Sequence, residues 1–118
     1  MSTPKIICGK TGEEKARSYL LKQGYRIIET NYHSRFGEID IIAMQGEELV
    51  FIEVKTRASS LQTALQSVSH SKQNKLAKTA AYYLSQNPHL QNNFTRFDVI
   101  AVLTKKNQVF HLKNAFTP

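Results

Sequence analysis

Gly37-Glu-Ile-Asp-Ile-Ile-Ala-Met-Gln-Gly-Glu-Glu-Leu-Val-Phe-Ile-Glu-Val-Lys-Thr-Arg57 (GEIDIIAMQGEELVFIEVKTR) decides how this chain is read. Two apolar runs, Glu38 to Met44 and Leu49 to Thr56, flank Gln45-Gly-Glu-Glu48, which has the composition of a turn. That is the signature of a β-hairpin. Both runs are apolar on both faces, so both strands belong in the interior of a sheet. Against that background Asp40, Glu53 and Lys55 stand out. With the turn centred on Gly46 and Glu47, Asp40 lies opposite Glu53, and opposed residues have Cβ atoms about 4.5–5.5 Å apart. Strand periodicity puts Lys55 on the face of Glu53, opposite Glu38.

The rest of the chain builds outward from this hairpin. Thr11-Gly-Glu-Glu14 has capping-box spacing and opens a helix over 11–24, with Ala16, Tyr19 and Leu20 as its apolar stripe and Gly24 as its stop. Tyr25 to Tyr32 reads as a strand, and Ala58 to Thr63 as a loop. Ala64 to about Gln86 reads as helical, with a break near Ser69-His70-Ser71. Leu76, Ala80, Tyr83 and Leu84 recur on one face, and Asn87-Pro88 ends the run. Phe94 to Leu103 is a strand, Lys105-Lys-Asn107 a turn, and Gln108 to Leu112 a short last strand. The order α-β-β-β-α-β-β predicts an α/β fold with a mixed central sheet flanked by helices. We expect one domain over 1–118, with residues 1–8 as a flexible N-terminus.

Sixteen basic and nine acidic residues give a net charge of +7, which favours an anionic partner, nucleic acid being the commonest. The charge is also unevenly placed. Five of the nine acids (Glu38, Asp40, Glu47, Glu48, Glu53) fall in the hairpin, whereas Val54 to Phe97 contains none. The single cysteine, Cys8, excludes an internal disulfide framework. The apolar run in MSTPKIICGK is too short for a signal peptide or a span. These features lead us to expect a soluble cytoplasmic protein that does not enter a membrane.

Two carboxylates opposed in an interior strand pair repel, and desolvating them costs several kcal/mol. A divalent cation compensates best, and hard oxygen ligands select Mg²⁺. Lys55 could then orient a water or stabilise developing phosphorane charge. The bland reading is a salt-bridged cluster in which Lys55 and Arg57 neutralise Asp40, Glu53 and Glu38. Glu13 lies on the inward side of the first helix and, unlike Glu14, has no capping role. Its bland reading is a helix-dipole acid. Lys72, Lys75 and Lys78 line one flank of the second helix as phosphate contacts or as an ordinary solvated face. Arg35 and Arg57 are candidates to neutralise a scissile phosphate, with a salt bridge to Glu38 as the alternative for Arg57. Asp98 reads as structural, paired with Arg96 or Arg17. His33, His70, His89 and His111 lack ligand spacing, and Tyr82 and Tyr83 read as core.

These residues resemble a known family. Gly9-Lys-Thr-Gly12-Glu13, Ala16, Tyr19-Leu20, Gly24-Tyr25, Asn31, Gly37 to Ala43, Phe51 to Arg57, Ser67-Val68, Lys72, Ala80 to Leu84 and Arg96 to Val99 look like the YraN-like family of small proteins. That family is similar to archaeal Holliday junction resolvases and to the PD-(D/E)XK superfamily. The resemblance implies a restriction-endonuclease-like core and a Mg²⁺-dependent endonuclease for which Mn²⁺ substitutes. The implied partner is DNA, branched or duplex. It also implies Glu13, Asp40 and Glu53 as metal ligands and Lys55 as the catalytic lysine. Arg35, Arg57, Lys72 and Lys75 are the expected nucleic-acid contacts. Related resolvases act as dimers, so a homodimer is expected too. This chain departs from the pattern in having Ile39 rather than proline before Asp40, and in lacking glycine and proline between Ala58 and Thr63. The alternatives on the same fold are a non-catalytic nucleic-acid-binding module and a protein-interaction adaptor.

Overall fold

The computed structural model describes residues 11–117. The expected flexible N-terminus, residues 1–8, lies outside the described residues. Helix α1 spans Gly12–Lys22 and starts as its capping box requires. Glu14 N donates to Thr11 Oγ1 (3.1 Å), and Thr11 N donates to Glu14 Oε1 (2.8 Å). It ends at Gly24, whose φ of 88° is the left-handed turn that glycine takes without steric cost.

Strands β1 (Arg26–Ser34), β2 (Gly37–Gln45) and β3 (Glu48–Arg57) follow as a meander. The β2–β3 turn has two central residues, Gly46 and Glu47, and Gly46 has φ 59°. Positive φ at the first central position is the type II′ arrangement, which suits the twist of a hairpin. The predicted pairing holds: Gln45 faces Glu48 and Ile41 faces Ile52.

A helical crossover leads to β4 (Phe94–Leu103), which pairs with β3 in parallel, and β5 (Gln108–Phe116) closes the other edge antiparallel to β4. The sheet order is β1-β2-β3-β4-β5, a mixed five-stranded sheet. Parallel neighbours cannot be joined by a tight turn, which is why the helices sit between β3 and β4.

The crossover shows the expected break near Ser69 but differs from the expected loop over Ala58 to Thr63. Helix α2 (Leu61–Gln66) begins inside the predicted loop, because Ser60 Oγ accepts from Thr63 N (3.1 Å) and caps it. The chain then breaks and restarts as α3 (His70–Gln86), capped by Ser69 Oγ accepting from Lys72 N. A short 3-10 turn, Pro88–Leu90, follows.

Two apolar clusters cover the sheet. On one face Ala16 and Leu20 of α1 pack with Tyr25, Ile41, Ala43, Val50, Ile52, Ile100 and Val102. On the other, Leu76, Ala80 and Tyr83 of α3 pack with Ile39, Ile42, Met44, Leu49 and Phe51. Each fully buried aliphatic side chain contributes about 1.5–3 kcal/mol. The hairpin strands are therefore clamped from both sides, and the charges they carry are held rigidly. Among the described residues, no helix is long and apolar enough to cross a membrane.

Candidate active site where two strands part

The β2–β3 ladder ends at Ile41 and Ile52. One step further, at Asp40, the backbone pairing is replaced by a side chain. Val54 N donates to Asp40 Oδ2 at 2.8 Å. The alternation of faces lapses at the same point. Ile41 and Ala43 face α1, whereas Ile39 joins Ile42 and Met44 on the α3 side. A regular strand would put Ile39 with Ile41. The neighbouring strand bends to match: Asn31, between the pairs Thr30–Ile41 and Tyr32–Ile39, has φ 51°. Asparagine tolerates this left-handed geometry better than most residues.

This paired irregularity turns Asn31 and Asp40 into one cavity of about 230 Å³, which Thr11, Glu13 and Arg17 of the α1 end also line. Glu13 is fixed from across the cavity. With the Asn31 amide turned so that its nitrogen faces the carboxylate, it donates to both Glu13 oxygens, at 2.9 and 3.1 Å. The helix itself is held close by Gly12. A Cβ there would lie 1.8 Å from Thr56 Oγ1 of β3, so only glycine lets the first turn of α1 rest on the strand.

Glu53 is 5% exposed and has two cationic partners on one oxygen. Lys55 Nζ lies 3.1 Å and Lys72 Nζ 3.2 Å from Glu53 Oε2. Asp40 has none: among the described residues no lysine, arginine or histidine pairs with it, and its carboxyl is pushed up to about 7. Burial is the main cause, followed by the charge of Glu53. The Val54 N–H pulls the other way, and Glu13 adds a further upward push.

Glu13, Asp40, Glu53 and Lys55 thus gather at one end of the sheet, together with Lys72. The basic residues expected nearby divide. Lys72 reaches Glu53, whereas Lys75 is exposed further along α3. Arg57 Nη1 donates to its neighbour's carbonyl, Thr56 O, at 2.8 Å. Among the described residues the alternative Arg57–Glu38 bridge is not formed. Glu38 pairs with His33 at 3.1 Å instead. Arg35 does not line the cavity either; its guanidinium lies 5.0 Å from the Phe36 ring centroid. The salt-bridged reading therefore describes Glu53, with Lys72 in place of Arg57, and leaves Asp40 uncompensated. Sequence reasoning missed Arg17 and Asn31 as neighbours of the acids. Arg17 was findable, being four residues after Glu13 and so on its face of the helix. Asn31 was not, because its role depends on the bend.

A second carboxylate is resolved differently. Asp98 of β4 is fully buried and pairs with Arg96, as expected, through Arg96 Nε at 3.0 Å. His111, which had been assigned no role, is its second partner, with Nε2 2.6 Å from Asp98 Oδ2. Asn114 N donates to Asp98 Oδ1 at 2.9 Å. Arg96 continues the network to Tyr25 Oη, Gln45 Oε1 and Glu48 Oε1. Desolvation works to raise the Asp98 carboxyl, yet the hydrogen bonds from His111, Arg96 and Asn114 and the Arg96 charge outweigh it and hold the carboxyl below its ordinary value. Asn114 has φ 51°, and β5 slips register beside Asp98, which carries the strand on to Phe116 rather than ending it at Leu112.

The sequence aligns with relatives over most of its length. It is 47% identical over 114 residues to a UPF0102 protein of Thermodesulfovibrio yellowstonii, covering 95% of this chain and 97% of that one. It is 44% identical over 111 residues to a UPF0102 protein of Persephonella marina, covering 93% of each. A UPF0102 protein of Clostridioides difficile is 42% identical over 109 residues, covering 92% of this chain and 95% of its own. The model of uncharacterised protein family UPF0102, the YraN family, matches residues 12–102, a span that holds Glu13, Asp40, Glu53, Lys55 and Lys72. The chain belongs to that family.

Proposed function

We propose that this chain is a Mg²⁺-dependent endonuclease that hydrolyses DNA phosphodiester bonds, with branched or recombining DNA as its substrate class, on a restriction-endonuclease-like core. One observation carries the reading. Asp40 is half-buried beside Glu53 and Glu13, its carboxyl is raised to about 7, and no cationic side chain among the described residues pairs with it. A carboxylate that its own fold leaves without a counter-charge, beside two others, is suited to a cation from outside.

The donor set fits Mg²⁺. Among the described residues no three His, Cys, Asp or Glu side chains form a ready-made metal cage. Mg²⁺ does not need one, because it keeps waters and is usually held by one or two carboxylates plus substrate phosphate. Asp40 and Glu53 would hold it, with Glu13 facing it across the cavity. A bound Mg²⁺ supplies charge stabilisation at a phosphoryl oxygen and activation of water. Mn²⁺ prefers the same hard oxygen donors and is expected to substitute.

The chain's own groups do the rest. Val54 N–H fixes one Asp40 oxygen. Lys55 Nζ, 16% exposed and hydrogen-bonded to Glu53, stands where it can orient an attacking water and stabilise negative charge developing on the phosphoryl group. Lys72, 35% exposed, holds the same Glu53 oxygen and positions it. Arg17 lines the cavity as the cation nearest to hand for a backbone phosphate.

The test is cleavage of four-way junction, flap, duplex and single-stranded DNA with Mg²⁺ or Mn²⁺, wild type beside Glu53→Ala. Metal-dependent cutting that falls at least about 100-fold in the variant, the usual cost of losing an electrostatic contact to the transition state, supports the assignment. Equal residual cutting by the variant rejects it as contamination. Salt-sensitive DNA binding without metal affinity would instead favour a non-catalytic binding module.

A further inference from the structure

The adjacent tyrosines Tyr82 and Tyr83, both read from the sequence as core, part company in the structure. Tyr83 is buried, edge-on to Tyr32 at 5.1 Å. Tyr82 is 37% exposed and packs on Phe36, with ring centroids 5.7 Å apart. Phe36 sits in the β1–β2 turn beside Arg35, whose guanidinium lies 5.0 Å from the Phe36 centroid. Gly37 holds the turn against α3. Its φ is 145°, and a Cβ there would come within 3.2 Å of Thr79 Oγ1. Arg35, Phe36 and Tyr82 thus form a continuous assembly of planar groups at the surface.

Lys78 and Lys75 precede Tyr82 by four and seven residues, so all three share one stripe of α3. Lys72, at the start of the same helix, touches Glu53. Ten residues of helix from Lys72 to Tyr82 rise about 15 Å. That is four to five steps of a stacked strand at about 3.4 Å each. The acid nearest the turn, Glu38, is held by His33.

We propose that Phe36 and Tyr82, with Arg35, are a stacking platform for an unpaired base of the DNA whose phosphates run past Lys78 and Lys75 toward Lys72. The inference rests on the nucleic-acid reading above and names the substrate class more closely. Exposed aromatic rings and guanidinium planes take bases by stacking, whatever the sequence. A continuous duplex keeps its base faces inside the helix, so only a single strand, a flap or an opened branch point can use the platform.

The experiment measures binding in EDTA, so that nothing is cut, to single-stranded, four-way-junction and duplex oligonucleotides carrying 2-aminopurine at scanned positions. Wild type is compared with Phe36→Leu, Tyr82→Leu and the double variant. Leucine keeps apolar bulk and removes the stacking face. Melting curves check that the variants stay folded. The expected result is a loss of about tenfold per ring on single strands and junctions, within the range for one stacked base. The 2-aminopurine quenching should disappear at one position, while duplex affinity and the salt slope stay unchanged. Unchanged single-strand affinity in the double variant, or an equal loss on duplex, overturns the platform while leaving the nuclease reading intact. Absence of any nucleic-acid binding by the wild type overturns both.

Discussion

Asp40 and Asp98 are the same residue type, each in an interior strand of one sheet, and their surroundings treat them in opposite ways. Asp98 receives Arg96, His111 and the Asn114 N–H, and its carboxyl is held below the ordinary range. Asp40 receives one backbone N–H and faces Glu53 and Glu13, and its carboxyl rises to about 7. A fold that can bring an arginine and a histidine to a buried aspartate in β4, and two lysines to Glu53 in β3, leaves Asp40 without a cationic partner among the described residues. At Asp98 the chain supplies the counter-charge itself; at Asp40, among the described residues, it supplies none.

The sharpest way to break the contrast is to neutralise each aspartate in turn. Asp98→Asn takes from Arg96 its fully buried carboxylate partner and leaves it Glu48 alone, and should cost about 3–5 kcal/mol, the usual effect of removing one partner of a buried pair. For a domain of this size that is a melting temperature lower by more than about 10 °C. Asp40→Asn removes repulsion instead of attraction. Without divalent ions it should melt at or above the wild-type temperature, yet bind Mg²⁺ poorly and fail to cut. Thermal melts by circular dichroism in EDTA check the pair. Equal destabilisation by both variants would mean that Asp40 is as well compensated as Asp98.

The two shifts also predict pH dependences of opposite sign. Asp98 is lowered on folding, so its stabilisation is complete above the unfolded carboxylate value of about 3.9 and is lost as pH falls through its lower folded value. Asp40 is raised, so between about 3.9 and about 7 the folded chain holds a proton that the unfolded chain has released. In that window, without metal, Asp40 makes stability fall as pH rises. Urea titrations in EDTA at pH 4.5 to 7.5 should show this slope in the wild type and its loss in Asp40→Asn. Mg²⁺ must displace the same proton, so its affinity should weaken as pH drops below about 7 and level off above. A metal affinity independent of pH over that range would remove Asp40 from the ligand set.

What could be read from the sequence was whatever local chemistry fixes. The capping box set the start of α1, and the two-residue turn at Gly46-Glu47 set the register from Gln45–Glu48 to Ile41–Ile52, one step short of Asp40 and Glu53. The apolar run from Phe94 to Leu103 marked β4 to the residue. What could not be read depends on neighbours distant in sequence. The lapse of alternation at Asp40 needs the matching bend at Asn31. The Lys72–Glu53 contact needs the break before Ser69, which lets α3 set its own direction. Periodicity puts Tyr83 on the apolar face of α3, but what Tyr82 meets is decided by the packing of the β1–β2 turn. His111 looked idle because its partner lies on another strand, thirteen residues back.

Asn31 offers the finest cut, because it combines a backbone role with a side-chain role. At φ 51°, alanine strains the chain and should cost about 1 kcal/mol, while glycine should be nearly neutral in folding. Both variants remove the amide that holds the Glu13 carboxylate. If that amide aims Glu13 at the cation, Asn31→Gly and Asn31→Ala should differ in melting temperature but lose Mn²⁺ affinity equally, by roughly tenfold, as expected when a ligand's own support is removed. Equilibrium dialysis with Mn²⁺ at pH 7.5 reads the affinity. Should the glycine variant bind Mn²⁺ like the wild type, Glu13 does not depend on Asn31. Should Glu13→Gln then bind equally well, the cation rests on Asp40 and Glu53 alone, and the cavity on the α1 side is left for the DNA phosphate beside Arg17.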